Sequence, residues 1–149
     1  MVTHHKPDSG LRLLVRKLRR SDAGQALVEF ALVLPIMLLM LFALVDFGRG
    51  FYSWLVVTNA VREGARVGAV QGTEADIKQK VVTTASGLDM SRLDAAVVNG
   101  AQGARGSTVT VDVTYHFQFV TPIGSVLHLV SGGTLTAPTI SAHAAMRLE

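Results

Sequence analysis

Residues 30–45 read FALVLPIMLLMLFALV, sixteen consecutive residues without a charge. Extended back to Gln25, the segment is 21 residues long and carries one charge, Glu29. At 1.5 Å of rise per residue a helix over 25–45 is roughly 32 Å long, enough to cross a hydrocarbon core of about 30 Å. A helix that is apolar on every face belongs in a bilayer or deep in a large core. A chain of 149 residues has little interior in which to bury one, so residues 25–45 are read as a transmembrane helix. A cleaved secretory signal fits less well. The apolar stretch is too long, and no small-x-small site follows it where the chain runs on as LVDFGRGFY. Pro35 lies inside the run. It would cost about 3 kcal/mol in a helix in water but is tolerated as a bend within a membrane.

The residues before the run set its orientation. Residues 1–24 hold six basic side chains (Lys6, Arg12, Arg16, Lys17, Arg19, Arg20) against Asp8 and Asp22, a net of +4, whereas residues 25–149 hold eight basic and nine acidic ones, a net of −1. The overall +3 and the pI near 9.7 therefore belong to the N-terminal leader. A basic cluster with no basic domain behind it and no interleaved aromatics argues against nucleic-acid binding. Placed just before an apolar run, it is the cytoplasmic flank expected of a single-pass protein whose C-terminal part lies across the membrane. With 49% hydrophobic and 17% charged residues the chain is too apolar for disorder. It has no cysteine, which excludes a disulfide scaffold, a thiolate metal site, a cysteine nucleophile and a lipoprotein anchor.

Glu29 sits at the start of the span. An acid there costs a few kcal/mol unless it is paired or at the interface. One reading leaves it at headgroup level, favoured by the positive end of the helix dipole. Its surroundings give another: RRSDAG-QALVEF, a basic leader, Gly24, four residues, Glu29, Phe30 and then the apolar run. This resembles the cleavage site of type IV prepilins and pseudopilins. The resemblance implies a membrane aspartyl prepilin peptidase cutting between Gly24 and Gln25 on the cytoplasmic side. It also implies a role for Glu29, followed by Phe30, in aligning the subunit with the N-terminal amine of a neighbour. Glycine suits the cut because it lets backbone approach catalytic carboxylates closely. Further along, Asp46-Phe47-Gly48-Arg49 and Asn59-Ala60-Val61-Arg62-Glu63-Gly64-Ala65-Arg66 complete a pattern similar to the TadE-like family of Tad (tight adherence, Flp) pilus assembly pseudopilins. The positions that carry it are Asp46, Gly48, Arg49, Arg62, Glu63, Gly64 and Arg66. The absence of cysteine favours TadE over TadF-like relatives.

Beyond the span the helix is expected to continue, with Asp46–Arg49 and Glu63–Arg66 as i,i+3 pairs that are solvated or interfacial and contribute little. Ala60, Gly64, Gly68 and Gly72 form a small-residue stripe. It suits either a contact between subunits or close packing on the chain's own sheet, the latter favoured because the stripe lies outside the membrane. Thr73 is an N-cap for a helix stopped by Gly87, with Ile77, Val81, Thr84, Ala85 and Leu88 as its apolar side. From Thr108 the period becomes two: Val109, Val111, Val113, Tyr115, Phe117 and Phe119 face one way, Thr108, Thr110, Asp112, Thr114, His116 and Gln118 the other. Residues 135–148 give a second strand, demoted to an edge or broken by Pro138. Asp94–Val98 gives a short third, and residues 99–107 a glycine-rich turn. The fold class is α+β, with a basic leader over 1–24, a membrane helix over 25–45, and a pilin-like domain over 46–149 with a short helix and about three antiparallel strands.

Nothing in this pattern reads as an active site. The glycines of 100–106 lack phosphate-loop order. His116 lies on the polar face of a strand and no carboxylate pair sits near His128 or His143, so neither a metal nor a cofactor is expected. The function implied is that of a minor pseudopilin of a Tad/Flp-type (type IVc) system in the bacterial inner membrane, needed for pilus biogenesis and adherence. Its partners would be the prepilin peptidase, other Tad pilins and pseudopilins, the inner-membrane assembly platform and the lipid bilayer, and it would not be an enzyme. The alternative is an uncleaved single-pass anchor whose outer domain binds a ligand or envelope partner. That alternative has no use for a cleavable leader.

Overall fold

The computed structural model of the protein describes residues 22–134 and 137–149. The basic side chains of residues 6–20, His4 and His5, and the expected strand residues Leu135 and Thr136 lie outside the described residues. The chain divides into two compact units, one ending at Leu41 and the other Phe42–Glu149. One helix, α1 (Asp22–Ala69), contributes to both and contains Pro35. None of its residues from Phe30 to Val45 is buried within the chain, so this is not the core helix of a soluble protein. It fits the membrane segment read from the sequence.

In the second unit α1 changes character. Val57, Ala60, Val61, Ala65 and the glycines Gly64 and Gly68 are buried at spacings of three and four, one face of a helix. That face meets α2 (Glu74–Thr84) and the inner side of a three-stranded antiparallel sheet, order β1-β2-β3. The strands are β1 (Val97–Asn99), β2 (Thr108–His116) and β3 (Thr139–Arg147). Alternation in β2 buries Val109, Val111, Val113 and Tyr115, and Phe117 continues the series just past the strand. β3 pairs only with β2, starting directly after Pro138, as an edge strand should. β1 begins three residues later than expected. Before it, an isolated bridge of Leu93 to Tyr115, the Asp94 N–H donated to the Thr114 carbonyl and the Asp94 carboxylate against His116 tie the chain to β2.

Thr73 caps α2 as read: its Oγ1 accepts from the Asp76 N–H at 3.1 Å, while the Asp76 carboxylate accepts from the Thr73 N–H at 3.0 Å, a reciprocal capping box. Gly87 is not the stop. The helix ends at Thr84 with Ala85 as its C-cap, and a Cβ on Gly87 would come within 2.6 Å of the Tyr52 hydroxyl. Two elements were not expected, a 3-10 turn at Met90–Arg92 and the helix α3 (Ile123–Val130) that follows Pro122. The pairing of small residues with their own domain is settled by distance. A Cβ on Gly64 would lie 2.7 Å from Val81 Cγ2, and one on Gly68 2.8 Å from Val109 Cγ2. The stripe is the seat of α2 and β2.

Candidate functional site

The first group of motif residues lies at the head of α1. Gly24 and Gln25 stand within its first turns, and the Gln25 Nε2 donates to Glu29 Oε1 at 2.9 Å. Glu29 and Phe30 are exposed. The Gly24–Gln25 bond is therefore helical here.

The second group surrounds Asp46. The expected solvated pair with Arg49 is corrected by the structure: Asp46 is 2% exposed. Its Oδ1 accepts from the Val120 N–H at 3.1 Å, and its Oδ2 from the Thr121 N–H at 3.3 Å and the Thr121 hydroxyl at 2.5 Å. The same hydroxyl oxygen accepts from the Ile123 N–H at 3.3 Å. Asp46 thus holds the turn that opens α3. Arg49 stands 3.6 Å from the carboxylate, donates to the Gln118 carbonyl at 3.3 Å and lies over the Phe117 ring at 5.6 Å. Burial pushes the Asp46 carboxyl up, but the Thr121 hydroxyl, the two N–H donors and Arg49 together hold it below the usual carboxylate range. Gly48 is exposed, with nothing within 4 Å of the position its Cβ would take.

The third group is the outer part of α1. Glu63 binds Arg66 at 2.9 Å in the solvated pair the sequence suggested, and it also approaches Lys80 at 3.9 Å. Arg62 is exposed and Gly64 is buried against α2. The three groups are successive along α1.

Sequence reading missed two features. On the outer face of the sheet His143 Nδ1 meets Asp112 Oδ1 at 2.6 Å, and His116 Nε2 meets Asp94 Oδ2 at 3.0 Å. Asp112 and His143 are direct cross-strand partners, a relation visible only once the register is known. Neither pair extends to three metal-ligating groups among the described residues. The other is an apolar groove of about 440 Å³ lined by Phe47, Phe51, Trp54, Phe117, Ile123 and Ile140 among others. Three of its aromatic side chains, Phe47, Phe51 and Trp54, come from α1 at spacings of three and four, a signal present in the sequence.

Residues 24–66 match the model of the TadE-like protein family. The match begins at Gly24 and ends at Arg66, so it takes in every motif residue described above and none of the sheet. No curated protein and no solved structure matches the chain.

Proposed function

We propose that this TadE-like chain is a minor pseudopilin of a Tad/Flp-type (type IVc) pilus assembly system. In this reading a prepilin peptidase cuts between Gly24 and Gln25 on the cytoplasmic side of the inner membrane, residues 25–45 span the bilayer, and the domain from residue 46 onward lies outside. The chain is the substrate of processing and performs no catalysis of its own. It serves pilus biogenesis and adherence together with other Tad pilins and the assembly platform.

The observation that carries the reading is the TadE-like match starting at the glycine itself, with an acid five residues on at the mouth of an uncharged run. The chemistry is consistent. Cleavage makes Gln25 a free ammonium, and Glu29 is the only carboxylate within the following twenty residues. An ammonium and a carboxylate about 4 Å apart attract by roughly 4 kcal/mol at an effective dielectric near 20, so a neighbour's new N-terminus is a competent partner for Glu29.

The test is the N-terminal sequence of the membrane-extracted protein, from cells with and without the prepilin peptidase. A start at Gln25 that disappears with the peptidase is the expected result. An intact leader in both strains overturns the reading in favour of an uncleaved anchor.

A further inference from the structure

We propose that α3 and the aromatic groove beside it are embedded in the membrane interface, so that the chain meets the bilayer through a second, monotopic element as well as through α1. Three observations converge. First, between Asp112 and Arg147 there is no Asp, Glu, Lys or Arg at all. A stretch of a water-facing domain this long normally carries charge on its solvated side. Second, α3 hides none of its residues, and Leu129 and Val130 are 82% and 81% exposed, with Val120 before them at 67%. On the adjoining surface of α1, Phe47 is 72% exposed and Phe51 and Trp54 about half so. Exposed apolar surface of this kind marks a contact.

The third observation supplies the occupant. Asp46 is the first residue after the uncharged run, and its carboxylate binds the Val120 and Thr121 N–H groups. α3 starts two residues beyond Thr121, a reach of about 7 Å at most. The headgroup layer is itself about 5–7 Å deep on each side of the hydrocarbon core. The start of α3 is therefore fixed at headgroup depth by a buried ionic clasp. Ala43, from the end of the run, lines the same groove, so the apolar surface is continuous from the span onto the domain. Aromatic side chains at this level are the usual interfacial belt, and Arg49 places a cation beside them. An eight-residue helix has too little area to bind a membrane alone, but α1 already holds it there, so it need only contribute apolar burial.

The inference rests on the membrane-anchored reading of α1, and the experiment separates the two. The chain has no cysteine, so single nitroxide labels can be placed on the full-length protein by Leu129→Cys, Val130→Cys, Met40→Cys in the span and Gln79→Cys on the exposed side of α2. All four side chains are exposed, so none of the substitutions disturbs the core. In vesicles of phosphatidylcholine and phosphatidylglycerol, collision with oxygen reports lipid and collision with a nickel chelate reports water. Labels at 129 and 130 are expected to show a loss of nickel access relative to 79 and oxygen access resembling that at 40. Nickel access at 129 and 130 equal to that at 79 overturns the proposal. Shielding from both reagents also overturns it, and points to a protein partner. Nickel access at 40 would overturn the membrane span itself.

Discussion

Replacing Asp46 by Ala removes the acceptor of three hydrogen bonds. The Val120 N–H is on an exposed residue and can turn to water. The Thr121 N–H and hydroxyl are half-buried and lose their partner with less compensation. Hydrogen bonds to a charged group contribute about 1.5–3 kcal/mol each, and an orphaned buried donor costs about 1–3. The desolvation that Asp46 itself suffers is relieved at the same time. The net loss expected for the 120–130 segment is about 3 kcal/mol, or roughly a 100-fold fall in amide protection.

Hydrogen exchange read by mass spectrometry on the full chain in detergent micelles measures this directly in peptides covering residues 118–130. Asp46→Asn keeps one carboxamide oxygen and sets an N–H2 against Thr121, whose hydroxyl can rotate to accept. One backbone N–H is then stranded, giving a loss of about 1.5 kcal/mol, near tenfold. Thr121→Val leaves both backbone bonds to Asp46 in place but removes the hydroxyl's bond to the carboxylate and the acceptor of the Ile123 N–H, and should cost about 1.5 kcal/mol. The order expected is Ala first, then Asn and Val together. Unchanged protection in Asp46→Ala would refute the clasp. Equal losses in Asn and Ala would show that charge rather than acceptor geometry holds the segment.

Gly68→Ala should destabilise the domain by about 1 kcal/mol. Overpacking against Val109 and Ile77 costs about 1–3 kcal/mol, while helix propensity returns up to about 1. Gly48→Ala should instead stabilise by up to about 1 kcal/mol, and thermal unfolding in detergent that ranked the two in reverse would contradict the packing. Asp46, Asp76 and Asp89 all titrate below the usual carboxylate range in the folded chain, held by Thr121 against burial, by Thr73 and by Ser91 respectively. Their folded-state values lie below their unfolded ones, so their contribution is complete above the ordinary carboxylate pKa of about 3.9 and is lost as pH falls through and below it. Trp54 fluorescence through an acid titration should show this loss, shallower in Asp46→Ala. On the pseudopilin reading, Gly24→Leu should block maturation, and normal processing in an immunoblot would sink the cleavage site. Glu29→Ala should still be cut but assemble poorly, and wild-type piliation would remove its pairing role.

What could be read from the sequence is what depends on local pattern. The run 30–45 announces its environment by length and charge alone, the period of two from Val109 to Phe117 announces a half-buried strand, and Thr73 with Asp76 announces a helix start. What could not be read depends on partners distant in the chain. Asp46 looks like any i,i+3 ion pair until Thr121, 75 residues on, closes over it. α3 is too short to show periodicity, and Pro122 and Gly124 make it look like a turn. Yet the proline sets a helical φ of −62° just before the first turn, and Gly124 lets the helix press on Phe119, within 3.1 Å of where its Cβ would stand. Gly87 reads as a stop because glycine often ends helices, whereas here it makes room for Tyr52.

The glycines of α1 also say where a neighbouring subunit could attach. Glycine in a helix interior is unfavourable by about 0.5–1 kcal/mol relative to alanine, so each needs a compensating use. Gly64 and Gly68 have theirs inside the chain, where Val81 and Val109 fill the space a methyl group would take. The stripe that resembles a helix-pairing surface is thereby consumed and is closed to a second subunit. Gly50 sits in ordinary contact distance of Phe117. Gly48 has no such use among the described residues: it is exposed, with nothing within 4 Å of the place its Cβ would take. On the pseudopilin reading, then, packing between subunits beyond the membrane surface is left to the other faces of α1. It cannot use the Ala60-Gly64-Gly68 face, which the domain has already buried.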